Sequence, residues 1–229
     1  MYGTFLPTTQ EIQEVFASEI TNQGGTVTDA YDDGTRLFLR STFPKLLEVR
    51  PKDKVQGGVA LRTTARQIHV HPYTYRQVCS NGAIMARTLQ SRRIERVEFG
   101  PEEVLAELRE AVRVSSAQEA FLSATAEMRS ATDQSVDLVL QLLPLLSRLP
   151  AEHRSFVLDR ILGEFGDQRD WSAFGLMNAV TSVARDTRDP ELRWDLEELG
   201  GAILSELRPV PSPFEAAAEL VTAASLSRR

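Results

Sequence analysis

The chain is 229 residues long and 42% apolar, with a net charge of −6 and a single cysteine. This length and apolar content suit one large domain or two small ones that fold without covalent cross-links. The lone cysteine excludes an internal disulfide and a cysteine-rich zinc module, and the acidic net charge argues against a protein that is basic over its whole surface.

The predicted elements begin with a helix over residues 9 to 22, where Thr8 and Glu11 have capping-box spacing and apolar residues follow at helical intervals. Two strand-like runs then flank Asp32-Asp33-Gly34. They predict a hairpin, because Asp and Gly tolerate the positive φ of tight turns. Up to residue 99 the sequence stays strand-like, in runs such as VALRTT, RQIHVH, YRQVC and RIERVEF.

After Gly100-Pro101 the pattern changes to helices. The stretch 134 to 148 is apolar nearly all round, which predicts a buried helix that Pro144 kinks. After a helix that starts at Pro101, the predicted helices cover residues 117 to 130, 134 to 148, 151 to 165, 169 to 186, 190 to 207 and 213 to 225.

The order of these elements predicts an α+β fold, with a small, mainly antiparallel, basic β-sheet followed by a helical bundle. We assign residues 1–99 to the N-terminal helix and the sheet, and residues 100–229 to an acidic helical subdomain packed on it, within one domain overall. The first residues, MYGTFLPTTQ, lack the features of a signal peptide, and no apolar run reaches the roughly 18 residues of a membrane span. We expect a cytoplasmic protein with no membrane partner.

Two histidines lie on one predicted strand. His69 and His71 are two residues apart, so both rings would project from one face, with Cβ atoms roughly 7 Å apart. That geometry can hold a metal, but Cys79 lies eight residues on and no carboxylate is placed beside the pair. An edge-strand pair, facing solvent or hydrogen-bonded, is favoured over a metal site. No P-loop, GxGxxG or GxSxG motif is present, so we expect no cofactor.

Cys79 precedes an Asn-Gly step in the stretch PYTYRQVCSNGAIM. To act as a nucleophile, Cys79 would need a lowered pKa, which Arg76 or the start of a helix predicted at 81 to 89 could provide. The favoured interpretation is that Cys79 is a small buried apolar residue. Asn81-Gly82 predicts a sharp turn from strand to helix, because both residues reach left-handed conformations. The alternative is a phosphate seat formed by the helix amides and nearby arginines.

The predicted helix at 169 to 186 carries a polar residue on its core face. Asn178 lies among apolar residues, so we expect it to be buried and to tie the helix to a strand or loop, with a ligand contact as the alternative. Trp171 and Trp194 are predicted in the core. Adjacent acidic pairs such as Glu197-Glu198 are predicted to be solvated or to cap helices.

Two motifs, RQVCSNG at 76 to 82 and GLMNAVT at 175 to 181, resemble the phage- and plasmid-associated proteins grouped as domain of unknown function 932. DKVQGG at 53 to 58 also resembles that family's strand-and-glycine entry. The resemblance implies an α+β core and a mobile-element context, and it implies no reaction. After the second motif, this chain has SVARDT at 182 to 187, where many members of that family carry an acidic residue and a histidine. The matched positions are Arg76, Cys79, Asn81, Gly82, Asn178 and Thr181.

The charges are segregated along the chain. Residues 36 to 96 carry thirteen basic and three acidic side chains, whereas residues 97 to 229 carry thirteen basic and twenty-three acidic ones. Cations interleaved with aromatic residues are typical of single-strand binding, in which arginines track phosphates and rings stack on bases. The first hypothesis is therefore a non-enzymatic nucleic-acid-binding protein of mobile-element type, a single-strand DNA-binding or annealing factor. The predicted contact residues are Arg62, Arg66, Tyr73, Tyr75, Arg76, Arg87, Arg92 and Arg93.

The second hypothesis is an assembly protein, a homo-oligomer whose basic face binds an acidic protein surface. The basic block would then dock against the acidic half of its own or a neighbouring chain, since arginines suit phosphates and protein carboxylates alike. The third hypothesis is an enzyme that uses His69, His71 and Cys79, and it ranks lowest because no acid, base or metal set is complete.

Overall fold

The computed structural model describes residues 6–96 and 99–206, and its first element is the predicted N-terminal helix. This helix, α1 (Thr9–Asn22), begins after Thr8, whose hydroxyl accepts the Glu11 amide at 3.2 Å while the Glu11 carboxylate accepts the Thr8 amide at 2.8 Å. The capping box satisfies amides that have no partner inside the helix. The Thr8 amide and the Thr8 hydroxyl both donate to the Glu11 carboxylate and hold its pKa below its usual range. The predicted bounds are confirmed.

Within the described residues, seven antiparallel strands form one sheet after α1, and with the helices that follow they confirm the predicted α+β class. The strands are β1 (Thr26–Asp32), β2 (Leu37–Thr42), β3 (Leu46–Arg50), β4 (Asp53–Thr63), β5 (Gln67–Arg76), β6 (Asn81–Ile84) and β7 (Arg92–Glu95). The helices are α2 (Pro101–Ser115), α3 (Gln118–Ala131), α4 (Leu143–Leu146), α5 (Ala151–Gln168), α6 (Ala173–Asp186) and α7 (Pro190–Glu206).

The β1–β2 hairpin is closed by Asp33. Its carboxylate accepts the amides of Arg36 at 2.8 Å and Thr35 at 3.1 Å, and Gly34 has a φ of 84°. The bonds from Arg36 and Thr35 hold the pKa of Asp33 far below its ordinary value. The predicted hairpin is confirmed, because both of its determinants lie within the turn itself.

The long strand β5 lies inside the sheet. The main path of the sheet is β1-β2-β4-β5-β6, with β3 beside β4 and β7 beside β5. β4 therefore covers one side of β5, while β7 and β6 share the other side, β7 at its start and β6 at its end. The prediction that His69 and His71 lie on an edge strand is wrong, because β4 pairs with both residues on one side of β5 and β7 folds back along the other side, where it pairs with His69.

Helices cover both faces of the sheet. On one face, α1 and α2 pack on apolar side chains of the central strands, such as Leu61 and Ile68. On the other face, Trp194 of α7 packs against Phe38 and Tyr73. The central strands therefore present no open sheet face in the described part of the chain.

Two predicted helices differ from the structure. Over 134 to 148 the chain forms a π-helix, Leu138–Leu142, followed by α4, with Pro144 in the first turn of α4. The predicted all-round burial of this stretch is wrong, because Val139 is 67% exposed. The helix predicted at 81 to 89 is also wrong, since β6 occupies its start. The helix predicted at 213 to 225 lies outside the described residues.

The chain changes from strands to helices between β7 and α2, as predicted. Helices from before and after residue 100 pack on the sheet. The division into residues 1–99 and 100–229 stays a prediction. Within residues 6–96 and 99–206, no helix has the length and apolar character needed to cross a membrane.

Candidate nucleic-acid interface

The two motifs RQVCSNG and GLMNAVT meet in space, about a hundred residues apart in sequence. The side-chain amide of Asn81 donates to the Thr181 hydroxyl at 2.7 Å and to the main-chain carbonyl of Asn178 at 3.3 Å. Arg185 donates to the carbonyl of Cys79 at 2.7 Å. Asn81 thus ties β6 to α6. The prediction that the Asn178 side chain makes this tie is wrong, because its Oδ1 is buried without a hydrogen-bond partner in the described structure.

The turn before β6 is made by Ser80, which has a φ of 52°. Asn81 and Gly82 belong to the strand, so the prediction that they supply the left-handed turn is wrong. Gly82 is required for another reason: a Cβ there would lie 2.0 Å from the Tyr73 hydroxyl oxygen. Because no helix begins at residue 81, the predicted phosphate seat on helix amides is also wrong.

Arg76 is held in place by acidic and aromatic neighbours. Its Nε and NH2 each lie 2.7 Å from an Asp53 oxygen, and its NH1 lies 3.0 Å from Cys79 Sγ. Its guanidinium carbon lies 5.5 Å from the centre of the Phe174 ring, which Arg50 also approaches, at 5.1 Å. Asp53 satisfies the Arg76 charge, so this cluster joins the sheet to α6 and does not offer a free cation.

The two histidines are enclosed between β5 and α7. His69 and His71 are 5% and 2% exposed, with ring centres 5.9 Å apart. Burial lowers the pKa of His69 to about 4 and of His71 to about 3, helped by the nearby cations Arg62 and Arg93. The nearest carboxylate oxygen, on Glu198, lies 3.6 Å from His71 Nε2. Both rings are therefore neutral at pH 7.

Neither a metal set nor the predicted catalytic grouping is assembled around these histidines. Among the described residues, no group of three or more His, Cys, Asp or Glu side chains is arranged to hold a metal ion. Arg76, the neighbour of Cys79, lies five positions after His71 on the same strand, which is roughly 17 Å along the strand. The structure therefore does not bring Cys79 to His69 and His71.

The buried histidines predict acid-sensitive stability. Their folded pKa values lie below the unfolded value of 6.5, so the stability they contribute is full above pH 6.5 and is lost as the pH falls toward 4. By pH 5 we expect His71 alone to lower the free energy of unfolding by about 2 kcal/mol.

Urea unfolding at pH 7.5, 6 and 5 measures this loss. His71→Gln should reduce the pH dependence. A wild-type stability that is flat down to pH 5 contradicts the burial of these rings.

Much of the basic block is neutralised within the chain. Among the described residues, five of its arginines form ion pairs with carboxylates of the acidic half, at distances from 2.5 to 4.0 Å. These pairs are Arg36–Glu191, Arg40–Glu197, Arg50–Asp170, Arg62–Asp195 and Arg87–Glu206. Arg62 also lies over the Trp194 ring, 5.2 Å from its centre. The prediction that Glu197 is solvated is wrong, because its side chain is 2% exposed beside Arg40.

A second set of arginines remains exposed at the edge of the sheet. Arg92 and Arg93 lie on β7, and Arg66 directly precedes the β5 segment that pairs with β7. None of the three has a carboxylate within ion-pair distance among the described residues. Arg87, in the connection from β6 to β7, is 57% exposed although it contacts Glu206. We call Arg66, Arg87, Arg92 and Arg93 the arginine edge.

The predicted stacking residues are less accessible than the arginines. Tyr73 is 4% exposed, and burial raises its pKa. Tyr75 is half-buried and packs against the cluster that contains Tyr73 and Trp194. Trp194 is buried as predicted, but the prediction that Trp171 belongs to the core is wrong, because this residue is 61% exposed.

The chain matches no family model, no curated protein and no solved structure. The resemblance to the domain of unknown function 932 proteins stays a prediction, carried by the two motifs that Asn81 joins.

A cavity beside the arginine edge was not predicted from the sequence. It has a volume of about 280 Å³ and lies between the β6–β7 connection and α7. Arg148 contributes to its lining although it is distant in sequence from Arg87 and Arg93. No local signal marks Arg148, because its position depends on how the segment around α4 packs against α7.

Proposed function

We propose that the protein binds nucleic acid, with single-stranded DNA favoured, through the arginine edge. The observation that carries this proposal is the exposure of Arg66, Arg92 and Arg93 along one sheet edge, without carboxylate partners in the described part of the chain. A guanidinium presents paired N–H donors that match two phosphate oxygens. Arg92 and Arg93 are consecutive strand residues and project to opposite faces of the sheet, so a sugar-phosphate backbone that contacts both would run along the edge itself. The mobile-element context implied by the resemblance belongs to the same proposal.

The shape of this edge supports a flexible strand as the ligand. The arginines lie on a four-residue strand and its flanking turns, rather than on a protruding helix that could enter a major groove. Among the exposed lysines elsewhere in the basic block, Lys54 lies opposite Glu48 in the register of β3 and β4, which places an acidic residue beside it. With Tyr73 buried, stacking contributes less than the sequence predicted, so phosphate contacts should dominate the affinity.

Binding through three arginines predicts a specific salt dependence. About three phosphate contacts to a single strand give a slope of log K against log salt of about −2, which is about a 20-fold loss between 50 and 200 mM salt. Fluorescence anisotropy of labelled single- and double-stranded oligonucleotides, titrated with the full chain at several salt concentrations, measures this slope. The proposal is rejected if neither oligonucleotide binds at 50 mM salt or if the affinity does not change with salt.

One observation favours the assembly alternative. α5 exposes Phe156 at 57% and Leu162 at 41%, and Trp171 follows it at 61%. Exposed apolar side chains are typical of protein contact surfaces where they form one contiguous patch. Light scattering during size-exclusion chromatography, with wild type and Phe156→Ser, tests this alternative. An oligomer that Phe156→Ser dissociates would support a homo-oligomer, and a monomer at all concentrations would oppose it.

A further inference from the structure

The cavity of about 280 Å³ opens next to the arginine edge and carries three kinds of lining. Arg87, Arg93 and Arg148 supply positive charge, and Asp195 and Glu198 supply carboxylates. Side chains such as Leu149 and Leu199 form an apolar wall. The volume is near the lower end of the range for small-molecule sites, about 300 Å³.

Two of the three arginines of the cavity already contact a carboxylate. Arg87 Nε lies 2.9 Å from Glu206 Oε1, and Arg148 NH1 lies 2.6 Å from the same oxygen. Guanidinium groups pair with phosphate in the same bidentate geometry as with carboxylate, so a phosphate group could replace the Glu206 carboxylate on these two arginines. Arg93 has no carboxylate partner within the described residues, so one cation of the three remains unpaired.

Residues outside the cavity lining hold its two carboxylates in place. Asp195 Oδ1 lies 3.3 Å from the Arg62 guanidinium, and Glu198 Oε1 accepts the Trp194 indole N–H at 2.8 Å. Glu198 also lies beside the buried His71 ring, whose nitrogens have no hydrogen-bond partner in the described structure. Each carboxylate keeps acceptor positions for N–H or O–H groups of a ligand.

A ligand that suits this cavity must combine an anionic group, hydrogen-bond donors and a flat apolar surface. Inorganic phosphate satisfies only the arginines, and a metal cation satisfies only the carboxylates. A nucleotide satisfies all three linings: its phosphate pairs with the arginines, its hydroxyl or amino groups donate to Asp195 or Glu198, and its base lies on the apolar wall.

We infer that this cavity binds one unpaired nucleotide, with Glu206 released from Arg87 and Arg148 when the phosphate enters. This inference deepens the proposed function, since a strand lying along the arginine edge would place one of its units in the cavity. A base pair within a stacked duplex cannot enter a space of this size. The cavity therefore gives the protein a reason to prefer single strands.

Isothermal titration calorimetry of the full chain with nucleoside 5′-monophosphates, and separately with inorganic phosphate, tests the inference. We expect the monophosphates to bind at least about tenfold more tightly than phosphate. Arg148→Ala should weaken them by about tenfold or more, because a charge-assisted hydrogen-bonded pair is lost. Glu206→Gln should strengthen binding several-fold, since it removes the competing carboxylate. Arg188→Ala, at an exposed arginine outside the cavity, should change nothing. Thermal unfolding of each variant shows that it is folded.

The inference is overturned if the monophosphates bind no more tightly than phosphate, or if Arg148→Ala binds them like the wild type. Oligonucleotide binding without monophosphate binding would reject the cavity site and leave the proposed function in place. Monophosphate binding without oligonucleotide binding would keep the cavity site and reject the proposed function.

Discussion

Glu197→Ala is expected to destabilise the protein by about 3–5 kcal/mol, because it leaves a buried guanidinium without its counter-charge. The Arg40 and Glu197 side chains are 4% and 2% exposed, and Arg40 Nε lies 2.7 Å from Glu197 Oε2. Asp29 lies 3.1 Å from Arg40 at the sheet surface and supplies only partial compensation. Urea unfolding at pH 7.5 gives the loss in free energy of unfolding.

The double variant Arg40→Met/Glu197→Leu is the matched control for this pair. It removes both charges and keeps the side-chain volume, so it should recover much of the stability lost in Glu197→Ala. A single-variant loss below about 1 kcal/mol, the range of exposed ion pairs, would contradict the burial of this pair. A double variant less stable than Glu197→Ala would show that the charged pair itself stabilises the fold.

Gly201→Ala is the second substitution for which we expect a large effect. It should destabilise the protein, although alanine normally favours a helix more than glycine does. A Cβ at Gly201 would lie 2.0 Å from the Ile84 carbonyl oxygen, because α7 crosses β6 at this point. Relief of that contact requires the helix to move away from the strand, which we expect to cost about 3 kcal/mol, at the upper end of typical overpacking. Thermal and urea unfolding measure it.

Gly163→Ala in α5 is the control for that substitution, because no heavy atom lies within 4 Å of a Cβ built there. It should stabilise the protein by up to about 1 kcal/mol, the usual gain of alanine over glycine within a helix. If Gly201→Ala also stabilises the protein, the close approach of α7 to β6 is wrong.

The parts of the fold that could be predicted have local determinants. Thr8 and Glu11 define the start of α1 within one helical turn, and Asp33 with Gly34 defines the first hairpin. These signals lie within four residues of each other, so no tertiary information was needed. The change from strands to helices near residue 100 was visible for the same reason.

The wrong predictions concern residues whose structure is set by distant partners. The stretch after Cys79 was predicted as a helix, but its strand conformation depends on pairing with β5 and on the bond from Asn81 to Thr181. His69 and His71 were placed on an edge because the return of β7 along β5 has no local signature. Tertiary contacts override propensity in such short segments.

The candidate site was predictable only in part. The clustering of cations in residues 36 to 96 was readable from the sequence, and Arg92 and Arg93 are exposed in the structure. Which arginines are neutralised was not readable, because their partners lie far along the chain, 157 residues away for Arg40 and Glu197. The cavity likewise required Arg148 and α7 to be placed beside the β6–β7 connection.

The most direct test of nucleic-acid binding at the arginine edge compares two charge-reversal variants by fluorescence anisotropy with a single-stranded oligonucleotide at 50 mM salt. Arg92→Glu/Arg93→Glu reverses two exposed cations of the edge, and Lys45→Glu/Arg188→Glu makes the same change in net charge at exposed cations elsewhere. We expect the first variant to lose at least about tenfold in affinity, with a salt slope shallower by about 1, because two phosphate contacts become repulsive. The second should bind within about twofold of wild type. Equal losses in both variants, or no loss in either, would contradict a binding site at the arginine edge.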